Sequence, residues 1–280
     1  MDVKTQSFGQ AMPDPASDAA RAGEGWGSFV WFLIKLLLAV LALRTLVFAP
    51  FSIPSESMLP RLMNGDYLLA SKWPYGFSRH SLPFPVPLPE GRLLPSPPAR
   101  GDVVIFKHPV DGRDYIKRVI ALPGDTIAVN GGQVILNGTP VPHRRIADAL
   151  IPLSPNTVCA WGGDVVPGED GAQACRYAQF RETLPDGPSY DVLDFGLTPA
   201  DGFAPVTVPA GTVFVMGDNR DNSRDSRFAA VAGDGVGLVP QDLLVGRAEI
   251  IVWSTDGSAD WLLPWTWFSA ARWDRIGDAL

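Results

Sequence analysis

Histidine and cysteine are scarce in this chain of 280 residues, which has only His80, His108 and His143 of the first and Cys159 and Cys175 of the second. The histidines stand apart from one another and from the cysteines, and neither HExxH nor CxxC occurs, so the usual zinc ligand sets are missing. No metal and no cofactor is expected. An excess of base is lacking too: 23 Lys and Arg face 30 Asp and Glu, a formal charge of −7, which leaves no positive field for a nucleic-acid backbone. Nucleic acid is therefore not an expected partner. The absence of GxGxxG and of GxxxxGKS or GxxxxGKT removes the nucleotide-binding signatures, and without GxSxG the Ser-His-Asp hydrolases lose theirs. No unit repeats at the period of solenoids or propellers. With 28 Gly and 27 Pro the chain favours turns and short strands over long helices.

One long apolar run is present. Trp26 to Phe48 carries only Lys35 and Arg44 as charges and is long enough to cross a hydrocarbon core of roughly 30 Å. A mid-span cation such as Lys35 costs about 2.5–3.5 kcal/mol unless it snorkels or faces protein or water. The preceding residues hold Lys4 and Arg21 against Asp2, Asp14, Asp18 and Glu24, unlike the short basic start of a cleaved leader, and the small-x-small candidate Val47-Phe48-Ala49 is followed by Pro50. The run is read as an uncleaved anchor. Arg21 before it and Arg61 and Lys72 after it do not decide its orientation.

Beyond the anchor, short β-type runs are separated by turn signals: Tyr67–Ser71, Val103–Phe106, Tyr115–Leu122, Thr126–Val129, Gln133–Leu136, Thr212–Met216 and Ala248–Trp253. Asn130-Gly131 and Asn137-Gly138 are dipeptides that two-residue hairpin turns favour, because both central residues need positive φ. The expected class is mainly β, preceded by one transmembrane helix. The expected domains are a tail at 1–25, an anchor at 26–48 and a β domain at 49–280, with a loop-rich insertion at about 142–208 that holds both cysteines. Bridged, the cysteines would close a loop of about 15 residues worth about 3 kcal/mol, in an oxidising compartment; two free thiols are the alternative. Trp73–Arg100, with eight prolines and alternating Leu82, Phe84, Val86 and Leu88, reads as a surface loop or one lying against a membrane. Trp261, Trp265, Trp267, Phe268 and Trp273 suit a membrane interface, with core packing as the rival.

What remains for chemistry is serine with lysine. Polar groups stand between apolar strand residues in three places: Phe51 to Pro60, Asp114-Tyr-Ile-Lys117-Arg118, and the charged run Gly217 to Arg227. A lysine of ordinary pKa, about 10.4, takes a proton from serine only if burial lowers that value by roughly 2–3 units, and strand alternation puts Val119 rather than Ile116 on the Lys117 face. Asp218, Arg220, Asp225 and Arg227 alternate in sign within a short loop, which fits mutual ion pairs that hold the loop in place.

The segments SxSMxP at Ser55–Pro60, GDYLLASKWPYGFSRHSLPF from Gly65, RGDVVIFKHP from Arg100, DYIKRVIALPGD from Asp114 and GDNRDNSRDSR from Gly217, in this order after an apolar anchor, resemble the type I signal peptidases, the leader peptidases of bacterial membranes. The resemblance implies a signal-peptidase and repressor-protease-like β core. It implies a membrane-bound endopeptidase that removes signal peptides from exported preproteins after an Ala-x-Ala-like site through an acyl-enzyme. Ser57 would be nucleophile, Lys117 general base, the Ser57 N–H and Ser55 hydroxyl the oxyanion donors, and Ser223 the residue orienting the lysine. Phe51, Ile53, Pro54, Met58, Ile105, Asp114, Tyr115 and Ile116 would line shallow pockets for the small −1 and −3 residues, with the substrate pairing edge-on against Asp114–Lys117. The implied partners are secretory preproteins and a phospholipid membrane. The implied form is a monomer in the inner membrane with its catalytic domain on the periplasmic side.

Two positions depart from the family pattern: Glu56 stands between the two serines and Arg224 beside Ser223, where small residues are commoner. A carboxylate at Glu56 is expected to act on Lys117. Two rival readings are a self-cleaving repressor-type Ser/Lys protease, disfavoured by the anchor, and a non-catalytic membrane-anchored β protein, which has no reason to keep Ser55, Ser57, Lys117 and Ser223 together.

Overall fold

The computed structural model describes residues 15–81, 91–168, 171–260 and 262–280. It divides into a helical unit that ends at Arg44 and a β unit, Thr45–Leu280. Helix α1 runs Pro15–Leu46, so part of the expected tail is helical; Pro suits a first helical turn, where its missing N–H has no intrahelical acceptor. Its Trp26–Leu46 segment is long and apolar enough to cross a membrane. Lys35 lies 5.4 Å from the Trp31 ring centroid, a contact that gives the mid-span cation a partner on its own helix. The apolar helix is two residues shorter than the sequence reading: Val47 turns and Phe48 already opens a strand. Pro50 cannot continue a helix, and it biases the residue before it toward extended backbone.

The first seven strands of the β unit are β1 (Phe48–Ser52), β2 (Asp66–Ser71), β3 (Val103–Lys107), β4 (Asp114–Ala121), β5 (Thr126–Asn130), β6 (Gln133–Leu136) and β7 (Thr139–Pro140). The inserted segment adds β8 (His143–Arg145), β9 (Ala149–Pro152), β10 (Asp164–Pro167), β11 (Gln173–Tyr177), β12 (Gln179–Thr183) and β13 (Ser189–Leu193). The chain closes with β14 (Gly202–Thr207), β15 (Thr212–Met216), β16 (Val239–Pro240) and β17 (Leu244–Ser254). The central sheet has the order β1-β2-β17-β3-β4-β15-β16. Its middle strand β3 reads VVIFK because both faces are covered. Val103 and Ile105 pack with Ile53, Met58, Leu68 and Ile116, while Val104 and Phe106 pack with Val119, Val213 and Val215. Each such buried side chain contributes about 1.5–3 kcal/mol.

A second sheet, β14-β5-β6-β7, carries the two expected hairpins. Asn137-Gly138 forms its turn as predicted, at φ 53° and 77°. The other turn is centred one residue later than expected: Asn130 pairs with Gln133, and Gly131-Gly132 take the positive φ values of 57° and 80°. The expected insertion at 142–208 holds two three-stranded sheets, β10-β11-β9 and β13-β12-β8, but its last strand, β14, returns to pair with β5. Cys159 and Cys175 are disulfide-bonded, with Cα atoms 5.2 Å apart.

After β17 the chain folds back on the sheet, where Arg275 donates to the wholly buried Asp66 carboxylate at 2.6 and 3.0 Å. Leu262, Trp265, Phe268 and Trp273 are exposed rather than packed into the core, and Trp261 lies outside the described residues. So do Leu82, Phe84, Val86 and Leu88 of the Pro-rich segment. Its later part is pinned by Arg92, which donates to the Tyr75, Gln241 and Leu244 carbonyls.

Candidate active site

β1 ends at Ser52, and Ile53 caps it by donating to Asp66 O at 2.8 Å. The chain then makes a short helical turn, closed by Leu59 N to Glu56 O at 3.1 Å and Leu62 N to Met58 O at 2.9 Å. Met58, Leu59 and Leu62 anchor this turn in the core and leave Ser57, 7% exposed, at its start. Lys117 reaches the same point from β4, where it sits across from Val104 of β3. Its ammonium nitrogen lies 2.6 Å from Ser57 Oγ, and the lysine is 4% exposed. Burial pulls its pKa down from 10.5 to about 8, against Asp225 and Asp218, which raise it. Alternation holds as expected: Ile116 faces one core cluster and Val119 the other.

The dyad lies in the wall of a cleft of about 390 Å³. Phe51, Ile53, Pro54, Ser55, Ser57, Ile105, Asp114, Tyr115, Ile116 and Lys117 all line it. Met58 does not: it is wholly buried beneath the cleft, in the cluster that supports Ile53 and Ile116. Asn222, Arg224 and Asp234 form a polar wall that was not foreseen. Arg224 pairs with Asp234 at 2.9 Å and stacks on Phe228, so it braces its own loop rather than the dyad. Ser55 Oγ lies 3.4 Å from Ser57 Oγ. β15 pairs with β4 only from Arg118 onward, so among the described residues no strand covers that edge of Asp114–Lys117.

Three expectations need correction. The Ser223 hydroxyl is buried and, among the described residues, has no hydrogen-bond partner, Lys117 included. It packs against Gly217, where a Cβ would come within 2.3 Å of the hydroxyl and 2.4 Å of Ser57 O; only glycine fits there. The charged loop is not mutually paired throughout. Asp225 does bind Arg227 at 2.9 Å, but Asp218 takes a bidentate contact from Arg118, at 2.7 and 2.8 Å, and Arg220 grips Glu182 at 2.5 and 2.6 Å. Burial by itself would raise the Glu182 carboxyl, but Arg220 with His143 and Tyr190 holds it down to about 2. Arg118 stood next to Lys117 in a segment already singled out, whereas Glu182 carries no sequence signal.

Glu56 is the third correction. Its carboxylate accepts from Asn222 Nδ2 at 3.3 Å and lies beside the Val158 backbone N–H, and it is not among the charges that act on Lys117. His108, the histidine nearest these strands in sequence, is fully engaged elsewhere: Nδ1 accepts from the Val110 and Asp111 amides, and Nε2 lies 3.1 Å from Gly235 O. Among the described residues no cluster of three potential metal ligands occurs.

Comparison with known proteins adds a relationship to this geometry. The model of the family "Signal peptidase, peptidase S26" matches residues 26–253. The signal peptidase I of Rickettsia typhi is 33% identical over 237 residues, covering 81% of this chain and 80% of its own length. That of Rickettsia prowazekii is 33% identical over 240 residues, covering 82% and 80%. A crystal structure of a signal peptidase I from Enterococcus faecalis aligns with 54% of this chain and 97% of its own at 24% identity, with a TM-score of 0.28.

Proposed function

The chain belongs to the signal peptidases of peptidase family S26, serine peptidases, and from that premise we propose that it cleaves signal peptides from exported preproteins with Ser57 as nucleophile and Lys117 as general base. The observation that carries this reading is the 2.6 Å contact between Lys117 Nζ and Ser57 Oγ around a buried lysine whose pKa lies near 8. The neutral amine takes the Ser57 proton as Oγ attacks the scissile carbonyl. The resulting ammonium then protonates the departing amine, leaving an acyl-serine. Water, deprotonated by the same amine, attacks the acyl carbon and restores Ser57. The Ser57 N–H and the Ser55 hydroxyl would receive the oxyanion, each such donor being worth about 2.7–4 kcal/mol in other hydrolases.

The cleft supports a substrate laid along the uncovered edge of Asp114–Lys117, where main-chain pairing supplies affinity and the apolar floor of Ile53, Ile105 and Ile116 admits small side chains. Exclusion by pocket size is worth only about 1–3 kcal/mol per methylene, so membrane placement of both partners shares the selection. The exposed Trp265, Phe268 and Trp273 suit a lipid interface, and the disulfide suits an oxidising, periplasmic location for the β unit. The repressor-type reading is set aside because the family match begins at Trp26, inside the apolar helix.

The test is incubation of the purified full chain, in detergent, with a preprotein, followed by mapping of the cut. Ser57→Ala and Lys117→Ala are each expected to abolish cleavage with the fold intact, since the two groups act as a unit. Activity within tenfold of the parent in either variant would overturn the assignment. Digestion of spheroplasts that left residues 49–280 protected would overturn the orientation.

A further inference from the structure

The turn that carries Ser57 is tied to the rest of the molecule at its preceding residue. The Glu56 carbonyl accepts from Asn219 Nδ2 at 3.1 Å, and its carboxylate accepts from Asn222 Nδ2 at 3.3 Å; both asparagines belong to the Gly217–Arg227 loop. Asn219 is wholly buried and its own backbone N–H donates to Ser57 O at 3.1 Å, so the loop grips two consecutive residues of the turn. On its other side the Glu56 carboxylate lies beside the backbone N–H of Val158, the residue before Cys159, which favours its ionised form. That segment is itself held fast. Ala160 N donates to Tyr177 Oη at 2.7 Å, and Cys175 and Tyr177 pack with Leu59 and Met63 of the nucleophile turn, with Cys159 and Ala160 against the same cluster.

We propose that Glu56 is a positioning residue, whose carboxylate bridges the Gly217–Arg227 loop and the disulfide-closed loop and so fixes the nucleophile turn that sets Ser57 against Lys117. The proposal rests on the Ser57–Lys117 reading and deepens it. It assigns a task to the insertion, which contributes no group to the dyad or the cleft: through Val158 it supplies one of the two anchors of the turn. It also accounts for a carboxylate at a place where a smaller residue would fit the turn but bridge nothing. Misplacement of a reacting atom by about 1 Å costs on the order of 100-fold in rate, so a clamp at the adjacent residue is felt in the chemical step.

The experiment uses the full chain in detergent with a peptide bearing an Ala-x-Ala site, and reads kcat, KM and the pH profile. Glu56→Ala is expected to lower kcat by about 10- to 100-fold with KM changed less than about threefold. The rising limb of the pH profile should not move, because Glu56 does not act on Lys117. Glu56→Gln, whose side-chain oxygen can still face the Val158 N–H and whose amide can meet a turned Asn222, should recover most of the lost kcat. Asn222→Ala should lower kcat in the parent but have little further effect in Glu56→Ala, the mark of a shared contact; it also serves as the informative variant should Glu56→Ala not fold. Overturning results are a Glu56→Ala kcat within twofold of the parent, a Glu56→Gln loss as deep as that of alanine, additive effects of Glu56→Ala and Asn222→Ala, or a displaced pH limb. Ser57→Ala, run alongside, separates the two ideas: if it still cleaves, the dyad reading fails; if it is dead while Glu56→Ala is unaffected, only the clamp fails.

Discussion

Lys117 makes a quantitative prediction, because the same burial that lets it act as a base costs stability. A drop from 10.5 to about 8 corresponds to about 3.4 kcal/mol of differential interaction, at 1.36 kcal/mol per unit. At pH 7 the neutral amine is then about 9% of the population, against about 0.03% for an unshifted lysine, a gain of about 300-fold in competent base. kcat/KM measured on a quenched peptide should therefore rise tenfold per pH unit below 8 and level off above it. The stability sign follows from proton binding. Between pH 8 and 10.5 the unfolded chain holds the Lys117 proton and the folded chain does not, so stability gains from this residue as pH rises through that window. Lys117→Met removes the penalty and should unfold about 3 kcal/mol later at pH 7, with the advantage fading by pH 10.5. Among the charges, Asp225 is the stronger of the two that raise the pKa, so Asp225→Asn should move the limb to lower pH, where the sequence alone points to Glu56. A limb centred near 10, a Lys117→Met variant no more stable than the parent at pH 7, or a limb at pH 6–7 that disappears in His108→Asn would each refute the reasoning.

Other variants probe the frame around the dyad. Glu182→Ala leaves the buried Arg220 guanidinium unpaired and should cost about 3–5 kcal/mol in denaturant unfolding of the full chain. In the parent, the Glu182 carboxyl is held at about 2 against an ordinary 4.5, so its stabilisation is complete above pH 4.5 and is lost as pH falls toward 2; acid unfolding of parent and Glu182→Gln should converge there. Ser223→Ala removes no hydrogen bond, so stability should stay within about 1 kcal/mol and kcat/KM within about twofold of the parent. A tenfold loss of kcat/KM would instead return Ser223 to the role of orienting Lys117.

Much of the fold was legible because its signals are local. Short continuous runs bounded by turn signals, such as VVIFK at β3, fit a strand covered on both faces, and Asn137-Gly138 takes the positive φ pair that a tight hairpin demands. Elimination left serine with lysine as the chemistry, but it was the resemblance of five ordered segments to the type I signal peptidases that singled out Ser57 and Lys117. The partners of those residues were not legible. Asp218 and Arg220 look from their spacing like members of one charged loop, but Arg118 and Glu182 reach them from other strands, and no local signal encodes a contact between β12 and β15's following loop. Glu56 shows the same division. The sequence placed a carboxylate beside the nucleophile, but whether it faced Lys117 or the disulfide loop depended on how the insertion packs on Leu59 and Met63. Side-chain direction in an irregular turn is set by whatever is packed against it, and that is a property of the assembled tertiary structure rather than of the segment.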